Sequence, residues 1–128
     1  MHRDSLREIL YVDDEPDIRE IVQMSLGLAP GLSVVTADSG VRALQSMQTY
    51  KPDLVLLDVM MPGMDGPMTL QQMRSSPELQ SIPVIFMTAK AMPQEVARFR
   101  AMGAAAVIGK PFDPMLLAEH LFAVWESL

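Results

Sequence analysis

The sequence contains no cysteine among its 128 residues. The chain can therefore form neither a disulfide framework nor a metal site built from thiolates, and this absence fits a reducing cytosol. It also lacks any apolar run near the ~20 residues that span a bilayer. Its N-terminus, Met1 to Glu8, is too charged for a signal peptide. We therefore expect a cytoplasmic protein without a membrane partner.

A surplus of positive charge is absent as well. Ten lysine and arginine residues stand against sixteen aspartate and glutamate residues, which gives a net charge of −6. Such a chain repels the phosphates of nucleic acids, so we expect no direct nucleic-acid binding. The length and the 49% of hydrophobic residues suit one domain over residues 1–128. Because the chain begins with Met1, we expect this domain to stand alone.

Five short apolar segments alternate with five segments of helical periodicity. The predicted strands lie near residues 6–12, 32–36, 53–58, 82–87 and 104–108. The last helix is predicted to have Asp113 as its cap and Pro114 as its first residue. The residues predicted to face the core from the helices are Ile18, Ile21, Val22, Leu26, Val41, Leu44, Met47, Met68, Leu70, Met73, Val96, Phe99, Met102, Leu117, Leu121, Val124 and Leu128. Regular alternation of strand and helix predicts a parallel sheet covered on both faces.

A polar side chain follows four of the five predicted strands. Asp13 and Asp14 follow the first strand, Asp58 the third, Thr88 the fourth and Lys110 the fifth. Because the carboxyl ends of parallel strands lie at one edge of the sheet, these residues should converge. Taken singly, each has an ordinary explanation as a helix cap, a strand-end hydroxyl or a surface lysine. Their occurrence after four strands favours a shared site.

The chemistry of this set indicates phosphoryl transfer. Three crowded carboxylates repel one another unless a cation compensates, and Mg²⁺ prefers oxygen ligands. Lys110 supplies a positive charge for a phosphate oxygen, and Thr88 supplies a hydroxyl. An aspartate can act as a nucleophile and become an aspartyl phosphate. We therefore predict a metal-assisted phosphoryl-acceptor site with Asp58 as the acceptor.

The whole chain resembles a bacterial two-component response-regulator receiver domain. The matching segments, in family order, are Val12-Asp13-Asp14-Glu15, Asp53-Leu-Val-Leu-Leu-Asp58, Met61-Pro62-Gly63-Met64-Asp65-Gly66, Thr88-Ala89, Gly103-Ala104 and Lys110-Pro111-Phe112. The resemblance implies a flavodoxin-like, doubly wound (βα)5 fold, with a five-stranded parallel sheet in the order 2-1-3-4-5 and helices on both faces.

The resemblance also assigns roles to residues. It makes Asp58 the phosphoacceptor, Thr88 the switch hydroxyl and Lys110 the lysine that contacts the phosphoryl group, and it implies a cis bond between Lys110 and Pro111. The implied Mg²⁺ ligands are Asp13, Asp14, Asp58 and the backbone carbonyl of Met60. The implied donor is the phosphohistidine of a sensor histidine kinase or a phosphotransfer protein. Beyond its own phosphorylation and dephosphorylation, such a signalling domain is not expected to be an enzyme.

Two features concern the output of the signal. Receivers often carry an aromatic residue three positions before the lysine, where this chain has Val107. The resemblance therefore implies a switch that relies on backbone and loop rearrangement. On the last helix, a second apolar stripe is made of Met115, Ala118, Phe122 and Trp125. Because a core needs only one such stripe, we expect this one to contact a downstream partner or a second copy.

Three other functions are alternatives to this one. An aspartyl-nucleophile phosphatase resembles a pattern with a second acid two residues after the nucleophile, where this chain has Met60. A nucleotide- or flavin-binding module would need a glycine-rich turn after the first strand, where this chain has Asp13, Asp14 and Glu15. A receiver that signals without phosphorylation would not need the intact acidic set.

Overall fold

The computed structural model describes all 128 residues. The strands are β1 (Glu8–Val12), β2 (Ser33–Ala37), β3 (Leu54–Asp58), β4 (Val84–Thr88) and β5 (Ala106–Gly109). The helices are α1 (Pro16–Gly27), α2 (Gly40–Ser46), α3 (Gly66–Arg74), α4 (Pro93–Ala101) and α5 (Leu117–Glu126), and a short 3-10 helix, Arg3–Ser5, precedes β1. None of the helices combines the length and the apolar character that crossing a bilayer requires.

All five strands are parallel and their order is β2-β1-β3-β4-β5. The predicted fold class and strand order are therefore confirmed. The central strands β3 and β4 are buried along their whole length, because helices cover both faces of the sheet. This burial explains why both strands are continuous apolar runs in the sequence.

Two buried clusters fill the spaces above and below the sheet. One contains 17 residues, among them Ala43 of α2, Met73 of α3 and Phe99 of α4. The other contains 13 residues, among them Leu26 of α1 and Leu121 of α5. Successive residues of each strand alternate between the two clusters, as the pleat of a strand requires. Helices α2, α3 and α4 therefore cover one face, while α1 and α5 cover the other.

The start of the last helix differs from the prediction. Helix α5 begins at Leu117, with Leu116 as its N-cap residue. The Asp113 Oδ1 accepts a hydrogen bond of 2.9 Å from the Met115 N–H. The Asp113 side chain therefore bonds within the turn that precedes the helix and does not cap the helix. The prediction that Asp113 caps this helix and that Pro114 is its first residue is wrong.

Several residues of the predicted helix stripes lie outside the core. These are Ile21, Val41, Met68, Met102 and Leu128, whose exposed fractions run from 40% to 49%. By contrast, Ala43, which was not among the predicted core residues, is fully buried. Helical periodicity fixes which residues share a face, but the contact with the sheet decides how wide the buried part of that face is.

The second stripe of α5 is partly covered by the N-terminus of the chain. Trp125 is only 5% exposed, and its indole N–H donates to the His2 carbonyl at 3.1 Å and to the Ser5 Oγ at 2.9 Å. The Arg3 guanidinium carbon lies 5.0 Å from the centre of the Phe122 ring. The prediction that Trp125 belongs to an exposed surface is therefore wrong, because the 3-10 helix packs on it. Met115 is 82% exposed.

Candidate functional site

The residues predicted to converge lie at one edge of the sheet. Asp13 directly follows β1, Asp58 and Thr88 are the last residues of β3 and β4, and Lys110 directly follows β5. The register places Asp58 beside Met87 and Thr88 beside Gly109. The strands therefore end at similar levels, and their terminal polar residues gather there.

Three carboxylates form the centre of this site. Asp13, Asp14 and Asp58 each offer an oxygen, and these three oxygens lie within 4.8 Å of one another. Asp13 is fully buried and Asp58 is 4% exposed. One lysine cannot neutralise three carboxylates, so the site carries an excess of negative charge. Hard oxygen donors in this number and spacing fit a divalent cation such as Mg²⁺.

Lys110 connects two of the carboxylates. Its Nζ lies 3.0 Å from the Asp58 Oδ1 and 3.1 Å from the Asp13 Oδ2. Burial alone would lower the pKa of this lysine, but its hydrogen bonds to Asp58 and Asp13 outweigh burial and raise the pKa. Lys110 therefore stays charged and points into the site.

Asp58 is held in an environment that disfavours its charge. Burial raises its pKa from 3.8 to about 6, and the Lys110 hydrogen bond opposes this rise. The negative charges of Asp13 and Asp14 contribute to the same rise. The ionised form of a carboxylate that is buried among like charges is stabilised by a cation that binds beside it.

Asp13 has its own set of donors, one of which, Tyr11, the sequence analysis missed. The Tyr11 Oη donates to the Asp13 Oδ2 at 2.6 Å, and the Glu15 N–H donates to the Asp13 Oδ1 at 3.0 Å. Burial, followed by this hydrogen bond, raises the pKa of Tyr11, so the phenol stays protonated. The signal was available in the sequence, since residues two apart on a strand end share a side of the sheet.

Thr88 and the loops around it complete the edge. The Thr88 side chain is buried, and its Oγ1 accepts a hydrogen bond of 3.0 Å from the Lys90 N–H. The hydroxyl proton therefore remains free to donate. The Lys110–Pro111 peptide bond is cis, as the resemblance implied. Met60 lies in the loop after β3, with its side chain 77% exposed.

Gly66 positions the start of α3 against the end of β3. A Cβ at this position would lie 2.6 Å from the Asp58 carbonyl oxygen and 2.9 Å from the Val59 Cα. The Gly66 N–H donates to the Val59 carbonyl at 3.0 Å. Only a residue without a side chain allows this approach, and local sequence patterns do not predict so close a contact.

Comparison with known proteins agrees with this geometry. The family model described as response regulator receiver domain matches residues 9–122. The response regulator Rre1 of Synechocystis sp. is 40% identical over 106 residues, which cover 83% of this chain and 46% of that protein. A probable cyclic di-GMP phosphodiesterase of Vibrio cholerae is 41% identical over 113 residues, which cover 88% of this chain and 25% of that protein. This chain thus spans less than half the length of either relative.

A solved structure shows the same fold. The chemotaxis response regulator CheY4 of Vibrio cholerae superposes with a TM-score of 0.86 at 32% identity, and the match covers 94% of this chain and 99% of that one. The family model spans most of the chain, and the acidic cluster lies where the strand ends meet. The chain belongs to the response-regulator receiver domains, the phosphorylation-dependent signalling switches of two-component systems.

Proposed function

We propose that Asp58 is the phosphoacceptor of this receiver and that it takes its phosphoryl group from a phosphohistidine. The donor is a sensor histidine kinase or a phosphotransfer protein, and the reaction takes place in the cytoplasm. The observation that carries this proposal is the pair of contacts from Lys110 to Asp58 and Asp13, at 3.0 and 3.1 Å. It places a nucleophile, a cation for the phosphoryl oxygens and an acidic pocket in one small space.

The residues of the chain have separate roles in the transfer. An Asp58 carboxylate oxygen attacks phosphorus, a P–O bond forms, and the P–N bond to the donor histidine breaks with its electron pair going to the imidazole nitrogen. The Lys110 ammonium donates to a phosphoryl oxygen, and the Thr88 hydroxyl donates to another. Both groups lie at strand ends, so they stabilise charge without a large movement of the backbone.

A divalent cation completes the site. Asp13, Asp14, Asp58 and the backbone carbonyl of Met60 are the residues that would hold Mg²⁺. When bound, the ion neutralises negative charge on the pocket and on the transferring group. The chain itself contributes the orientation of the carboxylates, and the burial of Asp13 and Asp58 keeps competing water away from them.

Phosphorylation then biases two arrangements of the domain. A phosphoryl group at Asp58 attracts the Thr88 hydroxyl, which changes the hydrogen bond to the Lys90 N–H and with it the loop after β4. Val107, which is half-buried in β5, occupies the position where many receivers have an aromatic residue that links this loop to the surface. We therefore expect the output to depend on the loop between Thr88 and Pro93.

The experiment is phosphorylation by a small donor. With Mg²⁺ and acetyl phosphate, the intact mass of the protein should rise by one phosphoryl group, and chelation of Mg²⁺ should prevent the rise. Asp58→Asn should abolish it. Asp38→Asn is the matched control, because Asp38 is an exposed aspartate that follows β2 at the same sheet edge. Full labelling of the Asp58→Asn protein would contradict the assignment.

The proposed partner surface keeps Met115 of the predicted stripe and leaves out the buried Trp125. Met115, which is 82% exposed and precedes α5, lines a shallow apolar pocket with Met24 of α1 and Leu28, the residue after α1, which are 67% and 79% exposed. We propose that this apolar region mediates self-association. A Met115→Ser protein should then be more monomeric than the wild type in light scattering, and a wild type that stays monomeric at every concentration, phosphorylated or not, would contradict it.

A further inference from the structure

Each of the two tyrosines in the chain donates a hydrogen bond to a carboxylate. The Tyr11 Oη lies 2.6 Å from the Asp13 Oδ2, and the Tyr50 Oη lies 3.1 Å from the Glu8 Oε2. Only the first of these carboxylates belongs to the acidic cluster at the strand ends. The Tyr50 contact can therefore serve as a control for any effect of the Tyr11 contact on the acidic cluster.

Asp13 is held by donors on both carboxylate oxygens. The Glu15 N–H fixes Oδ1, while Tyr11 and Lys110 both donate to Oδ2. Of the two donors on Oδ2, Lys110 also contacts Asp58 and is the group that turns toward an incoming phosphoryl oxygen. When Lys110 turns, Tyr11 is the donor that stays on Oδ2.

Tyr11 is itself immobile. It lies in β1, beside Thr36 of β2 and Leu56 of β3, and it is fully buried within the apolar cluster under α1 and α5. A tyrosine hydroxyl ordinarily has a pKa of about 10, so it donates throughout the physiological range. The hydroxyl thus provides a fixed, permanently protonated anchor between the rigid sheet and the most buried carboxylate of the site.

We propose that Tyr11 is a positioning residue that orients Asp13 as a ligand for the divalent cation, an inference that rests on the proposed function. The hydrogen bond fixes the orientation of the Asp13 carboxylate, and with it the direction in which the free lone pair of Oδ1, and that of Oδ2 once Lys110 turns, can meet the cation. Partners of metal ligands commonly have this effect, and their removal weakens metal binding by about 10- to 100-fold. Tyr11 acts through Asp13 and does not contact the phosphoryl group.

The test is a calorimetric measurement of Mg²⁺ affinity on the full chain. Tyr11→Phe should bind Mg²⁺ about 10-fold more weakly than the wild type, while Tyr50→Phe should bind with unchanged affinity. The deficit should also appear as slow phosphorylation by acetyl phosphate at low Mg²⁺ and should disappear at saturating Mg²⁺. A merely structural role would lower the melting temperature without this rescue.

A double-variant cycle locates the effect. In an Asp13→Asn background, Tyr11→Phe should cause no further loss of Mg²⁺ affinity, because the two residues act as one unit. Equal Mg²⁺ affinity of Tyr11→Phe and wild type, or a loss that persists without Asp13, overturns the inference. Absence of Mg²⁺ binding by the wild type contradicts the proposed function instead, so the two failures are distinguishable.

A second measurement needs no variant. With ¹³C at the ζ-carbon of tyrosine, the wild-type protein gives two signals, one for each tyrosine. Addition of Mg²⁺ should shift the Tyr11 signal and leave the Tyr50 signal in place. If the Tyr11→Phe protein does not fold, an unmoved Tyr11 signal at a Mg²⁺ concentration that saturates the protein overturns the inference.

Discussion

Replacement of Asp58 by asparagine should stabilise the metal-free fold at neutral pH. The pKa of Asp58 is raised from 3.8 to about 6, mainly by burial and secondarily by Asp13 and Asp14. One pKa unit corresponds to 1.36 kcal/mol, so two units set a ceiling of about 3 kcal/mol on the cost of the ionised group. Because the asparagine leaves Lys110 without its Asp58 partner, we expect a smaller gain of about 1–2 kcal/mol from Asp58→Asn.

The sign of the pH dependence follows from the same shift. A folded-state pKa above the unfolded value means that the native carboxyl holds its proton more tightly than the unfolded one. The penalty is therefore fully present above about pH 6 and fades as the pH falls to about 4. The advantage of the Asp58→Asn protein should be largest at neutral pH and should vanish in acid.

Urea unfolding in the presence of a chelator provides the assay. The single tryptophan, Trp125, is buried and reports on unfolding by fluorescence. Glu20→Gln is the matched control, because it removes one negative charge from an exposed position of α1. An Asp58→Asn protein that is less stable than the wild type at neutral pH, or whose advantage does not change with pH, would refute the reasoning.

Mg²⁺ should reduce the stability difference between the two proteins. A ligand that binds only the native state stabilises it by about 1.4 kcal/mol at ten times its dissociation constant. The wild type, with three carboxylates, should gain more than the Asp58→Asn protein, with two. A wild type whose stability is independent of Mg²⁺ would contradict the assignment of the acidic cluster as a cation site.

Two further predictions concern residues that position the site and the sheet. Gly66→Ala should destabilise the fold by about 1–3 kcal/mol, because its Cβ would lie 2.6 Å from a backbone oxygen of β3. The control is Gly27→Ala, whose Cβ meets nothing within 4 Å and which should not destabilise the fold. Urea unfolding of both proteins tests this prediction. Arg74→Met should lower the free energy of unfolding by about 2–3 kcal/mol, because the guanidinium donates to three backbone carbonyls. Arg42→Met, at an exposed position, is the control. Equal melting temperatures of the two variants would contradict this role of Arg74.

The fold was predictable because its strongest signals are local. Leu54 to Leu57 form an uninterrupted apolar run that only a strand buried on both faces explains, and the structure buries all of it. The convergence of Asp13, Asp58 and Lys110 was predictable for a different reason. Parallel strands all end at one edge, so a polar residue after each strand is placed by topology without any knowledge of distances.

The errors arose where contacts between distant segments decide the outcome. Trp125 looked like part of an exposed stripe, yet the first residues of the chain reach across to it and bind its indole N–H. Helical periodicity contains no information about such a contact. Asp113 likewise has the residue type of a helix cap, but its side chain is used by a local turn that competes with the helix start.

The site contains a carboxylate that destabilises the fold, Asp58, and neighbouring groups that fix its position. Asp58 costs free energy when ionised because it is buried beside Asp13 and Asp14, and the Lys110 contact offsets part of that cost. A cation beside Asp58 relieves this cost, whereas a phosphoryl group adds negative charge and therefore needs the cation and Lys110 as partners. The same burial that raises the Asp58 pKa therefore couples its chemistry to the conformation of the domain. A freely exposed aspartate, such as Asp38, could be modified without any such consequence.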